Sequence, residues 1–185
     1  MAKHRIILGV TGASGSIYAR LLAEALSAYP DVELSVVVTE NGLKVMDYEG
    51  EAAWLVDPRI TRFANDDLFA APASGSAGYE AMVVVPCSMG TLGRLAAATS
   101  TDLLGRAADV ILKERRCLIL VPRETPLHTI HLRNMTALSE CGAVILPAAP
   151  SFYGKPGNIE SLCRTVTDRV LSLLGLEHGG YVWGQ

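Results

Sequence analysis

The sequence contains few of the residues that mark a disulfide-rich, zinc-binding or exported protein. It has four cysteines, at positions 87, 117, 141 and 163, and none of them forms a Cys-x-x-Cys pair. That spacing indicates neither a disulfide framework nor a zinc site. The opening segment MAKHRIILGV has an apolar run of only about six residues, too short for a signal-peptide core or a membrane span. We therefore expect a cytoplasmic protein that needs no metal.

Positive charge is also scarce. The chain carries 16 Lys and Arg against 19 Asp and Glu, which gives a formal net charge of -3. It therefore lacks the overall basic field that attracts nucleic acid or an anionic membrane surface. We expect neither partner, and any anion site has to be local.

Aromatic residues make up only 6% of the 185 residues, whereas hydrophobic residues make up 50%. The excess lies in Ala, Val, Leu and Ile, which suits buried parallel strands covered by helices. A chain of this length commonly builds one hydrophobic core. We therefore expect a single domain over residues 1–185, with an apolar content that is compatible with subunit contacts.

Short apolar runs alternate along the chain with longer segments of helical periodicity. The runs that resemble buried strands are Arg5–Val10, Glu33–Thr39, Ala81–Pro86, Cys117–Pro122 and Ala143–Leu146. The helical segments are Ser16–Ala28, Asp102–Lys113, Thr129–Glu140 and Ile159–Leu174. This alternation predicts an α/β fold, a Rossmann-like or flavodoxin-like three-layer sandwich with a mostly parallel central sheet.

Two segments interrupt the alternation. Asp47–Gly78 is irregular and rich in small residues, which predicts a short helix followed by a long functional loop. Pro147–Gly157 contains three prolines, too many for a helix or a central strand, and so predicts a stiffened loop.

A glycine-rich turn, Gly9-Val-Thr-Gly12-Ala-Ser14-Gly15-Ser16, lies where the first strand should pass into the first helix. Backbone N–H groups and the helix dipole favour an anion at such a turn, and glycine lets the chain approach a phosphate. The serines add hydroxyl donors. The alternative is a tight strand-to-helix turn that serine merely caps.

The end of the second strand helps to choose the ligand. A dinucleotide site needs a Gly-x-Gly-x-x-Gly turn and an acid at this strand end to hold a ribose. The turn lacks that spacing and the strand ends in Thr39, although Glu40 follows one residue later. A hydroxyl suits the phosphate or ribityl chain of a mononucleotide, so we favour FMN over NAD.

A second turn of the same kind, Pro86-Cys-Ser88-Met89-Gly90-Thr91, follows the third strand. With hydroxyls at Ser88 and Thr91 and a flexible Gly90, it would form a cleft with the first turn for a phosphate and the polar edge of a flavin. The alternative is one more capped helix.

Basic residues follow these turns along the chain. Arg106 and Lys113 are seven apart on a predicted helix and share a face, and Arg123 ends the next strand. We expect them to converge at the carboxyl edge of the sheet. Because Asp109 follows Arg106 by three residues, a solvated salt-bridge face is the alternative.

Glu124 lies directly beside Arg123 at this strand end. A carboxylate near phosphate oxygens is unfavourable unless it shares or transfers a proton, which indicates an acid–base role. An ordinary exposed Arg-Glu pair is the alternative.

The last third of the chain holds further polar and aromatic candidates. Tyr153, in the proline-rich loop, and Arg169, on the last helix, could bind a phosphate together, and Trp183 lies near the end. Spacing alone does not join them. His128 and His131 are three apart, but without a nearby third ligand they favour capping or packing over metal binding.

Six ordered blocks of the chain closely resemble the flavin prenyltransferase family, of the UbiX type. They are GVTGASGSIY at 9–18, PASGS at 72–76, PCSMGTL at 86–92, RAADVILKERR at 106–116, LVPRETPLHTIHL at 120–132 and GAVILPAAPSFY at 142–153. The resemblance implies a metal-independent enzyme that transfers a dimethylallyl group from dimethylallyl phosphate to N5 and C6 of reduced FMN. Such enzymes supply prenylated FMN to a UbiD-type decarboxylase, as in ubiquinone biosynthesis, and generally form dodecamers with active sites at subunit interfaces.

The resemblance also implies residue roles. FMN would be held by Gly12, Ala13, Ser14, Thr39, Ser88, Met89, Gly90, Thr91 and Arg123. The prenyl phosphate would be surrounded by Arg106, Lys113, Glu124, Tyr153, Arg169 and Trp183. Ser14, Glu49 and Glu124 would be catalytic, with Glu49 contributed across a subunit boundary. Thr39 stands where the family usually has serine, which keeps the hydroxyl.

Two other functions remain as alternatives. An FMN-dependent cysteine decarboxylase would need an active-site histidine in the first half of the chain, where only His4 is present, and a characteristic methionine- and asparagine-containing loop that is absent. A non-catalytic flavin carrier would need the two glycine turns but not the basic group with Glu124.

Overall fold

The computed structural model describes residues 4–182 and 184. Within them the centre is a six-stranded sheet whose paired strands are all parallel, in the order β3-β2-β1-β4-β5-β6. The strands are β1 His4–Val10, β2 Val32–Val38, β3 Ile60–Phe63, β4 Ala81–Cys87, β5 Cys117–Pro122 and β6 Val144–Ile145.

Helices connect these strands. They are α1 Ser16–Leu26, α2 Glu40–Glu49, α3 Met89–Ala96, α4 Leu103–Lys113, α5 Thr129–Glu140 and α6 Ile159–Leu173. Three single-turn 3-10 helices, Ala53–Val56, Ala71–Ala73 and Gly75–Ala77, lie between β2 and β4. In the described part of the chain, no helix is long and apolar enough to cross a membrane.

The two faces of the sheet bury separate clusters of side chains. Alternate residues of β1 divide between them, with Leu8 in the cluster under α1 and α6 and Ile7 in the cluster under α3 and α4. Both residues are at most 1% exposed. The predicted three-layer α/β sandwich with a parallel sheet is therefore confirmed.

Most predicted elements lie where the periodicity placed them, one helix begins earlier than expected, and two further elements were not predicted. Cys117–Pro122 and Thr129–Glu140 match their predicted bounds. The helix expected near Leu92 begins three residues earlier, at Met89, because the hydroxyl of Ser88 caps it. Helix α2 and strand β3 were not predicted, since each carries many polar residues.

The strand order reverses beside β1, which lies between β2 and β4. In a parallel sheet of this kind, the crevice at the carboxyl ends of the strands flanking such a switch point is the usual place for a ligand. Helices α1, α2 and α3 each begin a few residues after β1, β2 and β4 end. Both glycine turns therefore lie at this edge.

Candidate functional site

The first turn ends at Gly15, whose φ of 105° is the left-handed conformation that favours glycine. Gly15 supplies no side chain to cap α1. Instead, the N–H groups of Gly15 and Ser16 donate to the carboxylate of Glu49, over 3.0 Å to Oε1 and 2.7 Å to Oε2. The anion at the start of α1 is therefore a side chain of the same chain.

Within one chain Glu49 closes the start of α1, and its expected contribution across a subunit boundary stays a prediction. Glu49 is the last residue of α2, and its carboxylate reaches the start of α1 in its own chain. Burial alone would raise the pKa of Glu49, but the Ser14 hydroxyl and the N–H groups of Ser16 and Gly15 bind the ionised form and lower it. Glu49 is therefore ionised at neutral pH.

We expect Glu49→Gln to lower the free energy of unfolding by about 1 kcal/mol at neutral pH, because an amide accepts fewer N–H bonds and carries no charge for the helix dipole. A carboxyl whose pKa is lowered by folding stabilises the protein above its ordinary pKa of 4.5. That contribution is lost as the pH falls through the folded-state pKa. Denaturant titrations of both proteins from neutral pH to below 4.5 should show the difference shrinking. A constant difference would contradict this assignment.

Gly12 has a packing role that the sequence did not reveal. A Cβ at this position would lie 2.7 Å from Cβ of Asn41, in the first turn of α2. Glycine is therefore required here because α2 packs against the turn. The expected approach of a phosphate to Gly12 and Ala13 stays a prediction.

The second turn forms the start of α3. The Ser88 hydroxyl accepts the N–H of Thr91 and donates to its hydroxyl at 3.1 Å. Arg94, one turn further, donates to the same Thr91 oxygen at 3.2 Å. A Cβ at Gly90 would meet nothing nearer than the Arg94 guanidinium at 3.8 Å. The backbone at Gly90 is thus open to a flat ligand, and Met89 beside it is 8% exposed.

Thr39 lies between β2 and α2 and caps the helix, accepting the N–H of Gly42 at 3.0 Å. The hydroxyls of Thr39 and Ser88 therefore share one local role, each at a helix N-terminus that opens on the carboxyl edge. The capping alternative that the sequence left open for the second turn is therefore present at Ser88, whereas no serine caps α1 at the first turn. Capping does not conflict with ligand binding, since a helix N-terminus has several N–H groups to offer.

Thr11 joins the two turns, and the sequence reasoning missed it. Its hydroxyl donates to the carbonyl of Pro86 at 2.7 Å and accepts the N–H of Ser88 at 2.8 Å. Its own N–H also donates to the Pro86 carbonyl. Because Thr11 is only 1% exposed, water cannot replace these bonds, and Thr11 sets the spacing between the turns.

We expect Thr11→Val to weaken FMN binding about tenfold. Valine has nearly the shape of threonine but leaves the half-buried Ser88 N–H without its partner, a cost of about 1–3 kcal/mol that spreads the turns. Thr11→Ser retains the hydroxyl and should bind FMN almost as wild type. Fluorescence titration of flavin measures both dissociation constants. Equal affinity in the valine variant would show that Thr11 does not set the spacing.

Arg123 connects the end of β5 to both turns. Its Nε donates to the carbonyl of Ser14 at 3.1 Å, and its N–H donates to the carbonyl of Cys87. The next residue, Glu124, accepts the N–H of Thr125 through Oε1 at 3.0 Å. The structure thus places the Arg123 guanidinium and the Glu124 backbone at the same edge as the glycine turns.

Arg106 lies in the first turn of α4, which begins near the carboxyl ends of β2 and β3, but Lys113 does not reach that edge, so the two do not converge as predicted. Helix α4 runs antiparallel to the strands, so its last turn, with Lys113, lies at the amino edge just before β5. Arg106 pairs with Asp109 at 2.9 Å and donates to the carbonyl of Ala73. The salt-bridge alternative is therefore the one observed at Arg106.

The loop that carries Tyr153 lies against α6, which carries Arg169. The N–H of Ala148 donates to the carbonyl of Pro122, and the N–H of Ser151 donates to the Thr165 hydroxyl at 3.0 Å. Arg169 follows Thr165 by one turn and lines a pocket of about 460 Å³ with this loop. Tyr153 is 69% exposed, and Trp183 lies outside the described residues.

Two other chemically reactive side chains have structural explanations. His128 caps α5 by accepting the N–H groups of Ile130 and His131 at Nδ1, as the capping alternative predicted. Cys87, inside the second turn, is fully buried, and burial raises the pKa of its thiol to about 12. The Cys87 thiol is therefore protonated at neutral pH and is not a nucleophile.

The carboxyl edge as a whole fits a flavin mononucleotide. Three helix N-termini and the guanidinium of Arg123 favour an anion there. The open backbone at Gly90 lets a flat ring approach, while the side chain of Met89 packs in the core beneath it. Because Glu49 already occupies the start of α1, the starts of α2 and α3 are the better donors for a phosphate.

Comparison with known proteins identifies close relatives over nearly the whole chain. The model of the family described as Flavoprotein matches residues 1–171. The flavin prenyltransferase UbiX of Methanocaldococcus jannaschii is 42% identical over 183 residues, which cover 97% of this chain and 98% of that protein.

Solved structures give the same result. AnUbiX (PadA1) in complex with FMN and dimethylallyl pyrophosphate has a TM-score of 0.92 at 39% identity, covering 99% of this chain and 98% of its own. A dodecameric FMN-dependent UbiX-like decarboxylase from Escherichia coli O157:H7 has a TM-score of 0.91 at 40% identity, covering 98% and 100%.

Proposed function

Since this chain belongs to the Flavoprotein family and, within it, to the flavin prenyltransferases, we propose that it transfers the dimethylallyl group of dimethylallyl phosphate to N5 and C6 of reduced FMN. The observation that carries the proposal is the pair of polar turns at the sheet's switch point, which buried Thr11 joins and Arg123 links to β5. Such a crevice binds a mononucleotide and leaves its ring at the rim.

FMN would be held by residues of both turns and of the strand end beside them. The starts of α2 and α3, with the hydroxyls of Thr39 and Ser88, offer N–H and O–H donors to the phosphate and ribityl chain. Gly90 and Met89 would contact the ring, and Arg123 would add a charge. Bound reduced FMN supplies the nucleophilic N5 and C6 positions.

The prenyl phosphate would bind between the strand end and α6. Arg169 and Tyr153 would hold its phosphate, and Glu124, at the carboxyl edge, would give and take a proton at the phosphate oxygens. Ser14, whose carbonyl already binds Arg123, would orient the reacting edge. Fixed cationic donors around a departing phosphate lower the barrier to breaking the allylic C–O bond.

Arg106 and Lys113 would serve this reaction only from a neighbouring copy. Lys113 lies at the amino edge of its own chain, and Arg106 is engaged by Asp109 and the carbonyl of Ala73. Several large side chains are exposed on one chain, with Tyr48 at 94%, Phe69 at 102% and Phe152 at 71%. Exposed apolar groups of this size favour subunit contacts, so we propose a homo-oligomer, a dodecamer as in the E. coli relative, in which neighbours complete each site.

We also propose that the chain acts as one flavoprotein-type domain in the cytoplasm and delivers prenylated FMN to a UbiD-type decarboxylase. A flavin released at the open edge of the sheet is a suitable product for such a partner. An apo decarboxylase that is mixed with this protein and the prenylated FMN it has formed should regain decarboxylase activity.

The function is tested with purified protein, reduced FMN and dimethylallyl phosphate without oxygen. We expect a flavin heavier by one C5H8 unit in mass spectrometry, with inorganic phosphate released in equal amount. Parallel reactions with dimethylallyl pyrophosphate establish which leaving group is accepted. Unchanged FMN with normal binding would support the carrier instead.

The cysteine decarboxylase alternative has no support at the site. The only histidine in the first half, His4, lies at the start of β1 and pairs with Glu80 at 2.7 Å. It is therefore at the edge opposite the turns. Carbon dioxide release from a peptide with a C-terminal cysteine would nevertheless overturn our choice.

A further inference from the structure

The segment that follows α6 folds back along the helix. It turns at Gly175, whose φ is 74°, and residues 177–182 then return past the last two turns of α6. Tyr181 and Val182 line the 460 Å³ pocket together with Arg169. A Cβ at Gly154 would lie 3.1 Å from Cβ of Tyr181. This tail segment, 177–182, therefore touches both the Tyr153 loop and the helix of Arg169.

A chain of hydrogen bonds fastens the tail segment to α6 through His178. Its Nδ1 accepts the N–H of Gly180 at 3.1 Å, and its Nε2 lies 2.7 Å from the Ser172 hydroxyl. That hydroxyl donates to the carbonyl of Asp168 at 3.0 Å. Because Nδ1 is an acceptor and the Ser172 proton points to Asp168, the network assigns the imidazole proton to Nε2, which donates to Ser172.

The fit at Gly180 shows how closely the tail segment lies on the helix. A Cβ there would be 2.2 Å from Oδ2 and 3.0 Å from Cβ of Asp168. A side chain at this position would push the segment off α6. Close packing at Gly180 and the bond at His178 thus act on the same side of the pocket, next to Arg169.

We propose that His178 is a positioning residue for the prenyl phosphate end of the site. It binds no substrate itself, but it holds Tyr181 and Val182 as one wall of the pocket that Arg169 lines. An apolar wall beside the cationic group suits a ligand with a short hydrocarbon chain and a phosphate, and it keeps water from the leaving group. This inference rests on the proposed function.

The test compares steady-state constants of the full-length protein and its variants with reduced FMN. We expect His178→Ala to raise KM for dimethylallyl phosphate about 5- to 20-fold while kcat and the FMN dissociation constant change less than about twofold. Ser172→Ala removes the same bond from the helix side and should give the same result. His4→Ala, at the opposite edge of the sheet, is the matched control and should leave all constants unchanged.

Two conservative variants separate positioning from general stability. Glutamine at 178 can place an N–H donor where Nε2 lies, so His178→Gln should restore most of the KM. His178→Asn keeps only an acceptor for the Gly180 N–H and loses the bond to the helix, so it should behave like His178→Ala. If His178→Ala leaves KM at the wild-type value, or if asparagine restores it as well as glutamine, the proposal is wrong.

Amide hydrogen exchange of the unliganded proteins gives a readout apart from activity. We expect faster exchange of residues 177–182 in His178→Ala than in wild type, with unchanged exchange in β1 and β4. Equal exchange in the tail segment would also overturn the proposal. A wild-type protein that never prenylates FMN would instead reject the proposed function, so the two failures are distinguishable.

Discussion

Glu124→Gln should slow formation of prenylated flavin about 100- to 1,000-fold while FMN binds as in wild type. A positioned acid–base group commonly contributes a rate factor of this size, and an amide cannot take or give the proton. Glutamine keeps the size of the side chain and the oxygen that accepts the Thr125 N–H. The arrangement of Arg123 and the glycine turns should therefore survive the change.

Single-turnover mass spectrometry at saturating FMN and dimethylallyl phosphate measures this rate directly. Glu33→Gln is the matched control, because Glu33 lies at the start of β2, at the opposite edge of the sheet, and pairs with Arg5 at 3.0 Å. We expect that control to react at the wild-type rate. A Glu124→Gln protein with normal turnover would remove the acid–base role from this residue.

The order of strands and helices was predictable because burial leaves a direct trace in the sequence. A central parallel strand is covered on both faces, so β5 and β4 form continuous apolar runs. Helix α4 buries one regular face, and its predicted end at Lys113 was correct. For these elements the hydrophobic pattern of the sequence directly reflects which side chains are buried.

Elements with little burial were not predictable in this way. Helix α2 buries only Gly42 and Met46, and β3 is a four-residue edge strand with exposed Thr61 and Arg62. Their structure follows from neighbours, namely the cap at Thr39 and the pairing of β3 with β2. No local periodicity of either segment carries that information.

The site residues were predictable where polar residues follow strand ends. They were less predictable where the direction of a helix decides which edge of the sheet a residue reaches. Thr39, Ser88 and Arg123 lie at the carboxyl edge because parallel strands end there together. Lys113 shares a helix face with Arg106, but eleven helical residues span about 16 Å, which carries Lys113 to the other edge. The position of Glu49 depends on how α2 packs against α1, which spacing does not give.

Arg169→Ala should raise the dissociation constant for dimethylallyl phosphate about 10- to 100-fold and leave that for FMN within about twofold. A charge-assisted bond to a phosphate contributes about 1.5–3 kcal/mol, and every 1.4 kcal/mol or so is tenfold in affinity. Arg169→Lys keeps the charge but not the two parallel donors, so we expect an intermediate loss. The order of the dissociation constants with alanine, lysine and arginine at position 169 shows whether the phosphate is bound by two parallel donors or by charge alone.

Arg164→Ala is the matched control for this series. Arg164 lies on the same helix and pairs with Glu160 at 2.8 Å, on a side of α6 that does not line the 460 Å³ pocket. Its removal tests whether the loss of any positive charge on α6 weakens binding of the phosphate, simply because a long-range electrostatic attraction is lost. Salt would screen such an attraction. We expect calorimetry to show wild-type affinity for Arg164→Ala and a loss for Arg169→Ala that persists at high salt. Equal losses in both variants would mean that Arg169 acts only through the general field of the helix and does not bind the phosphate.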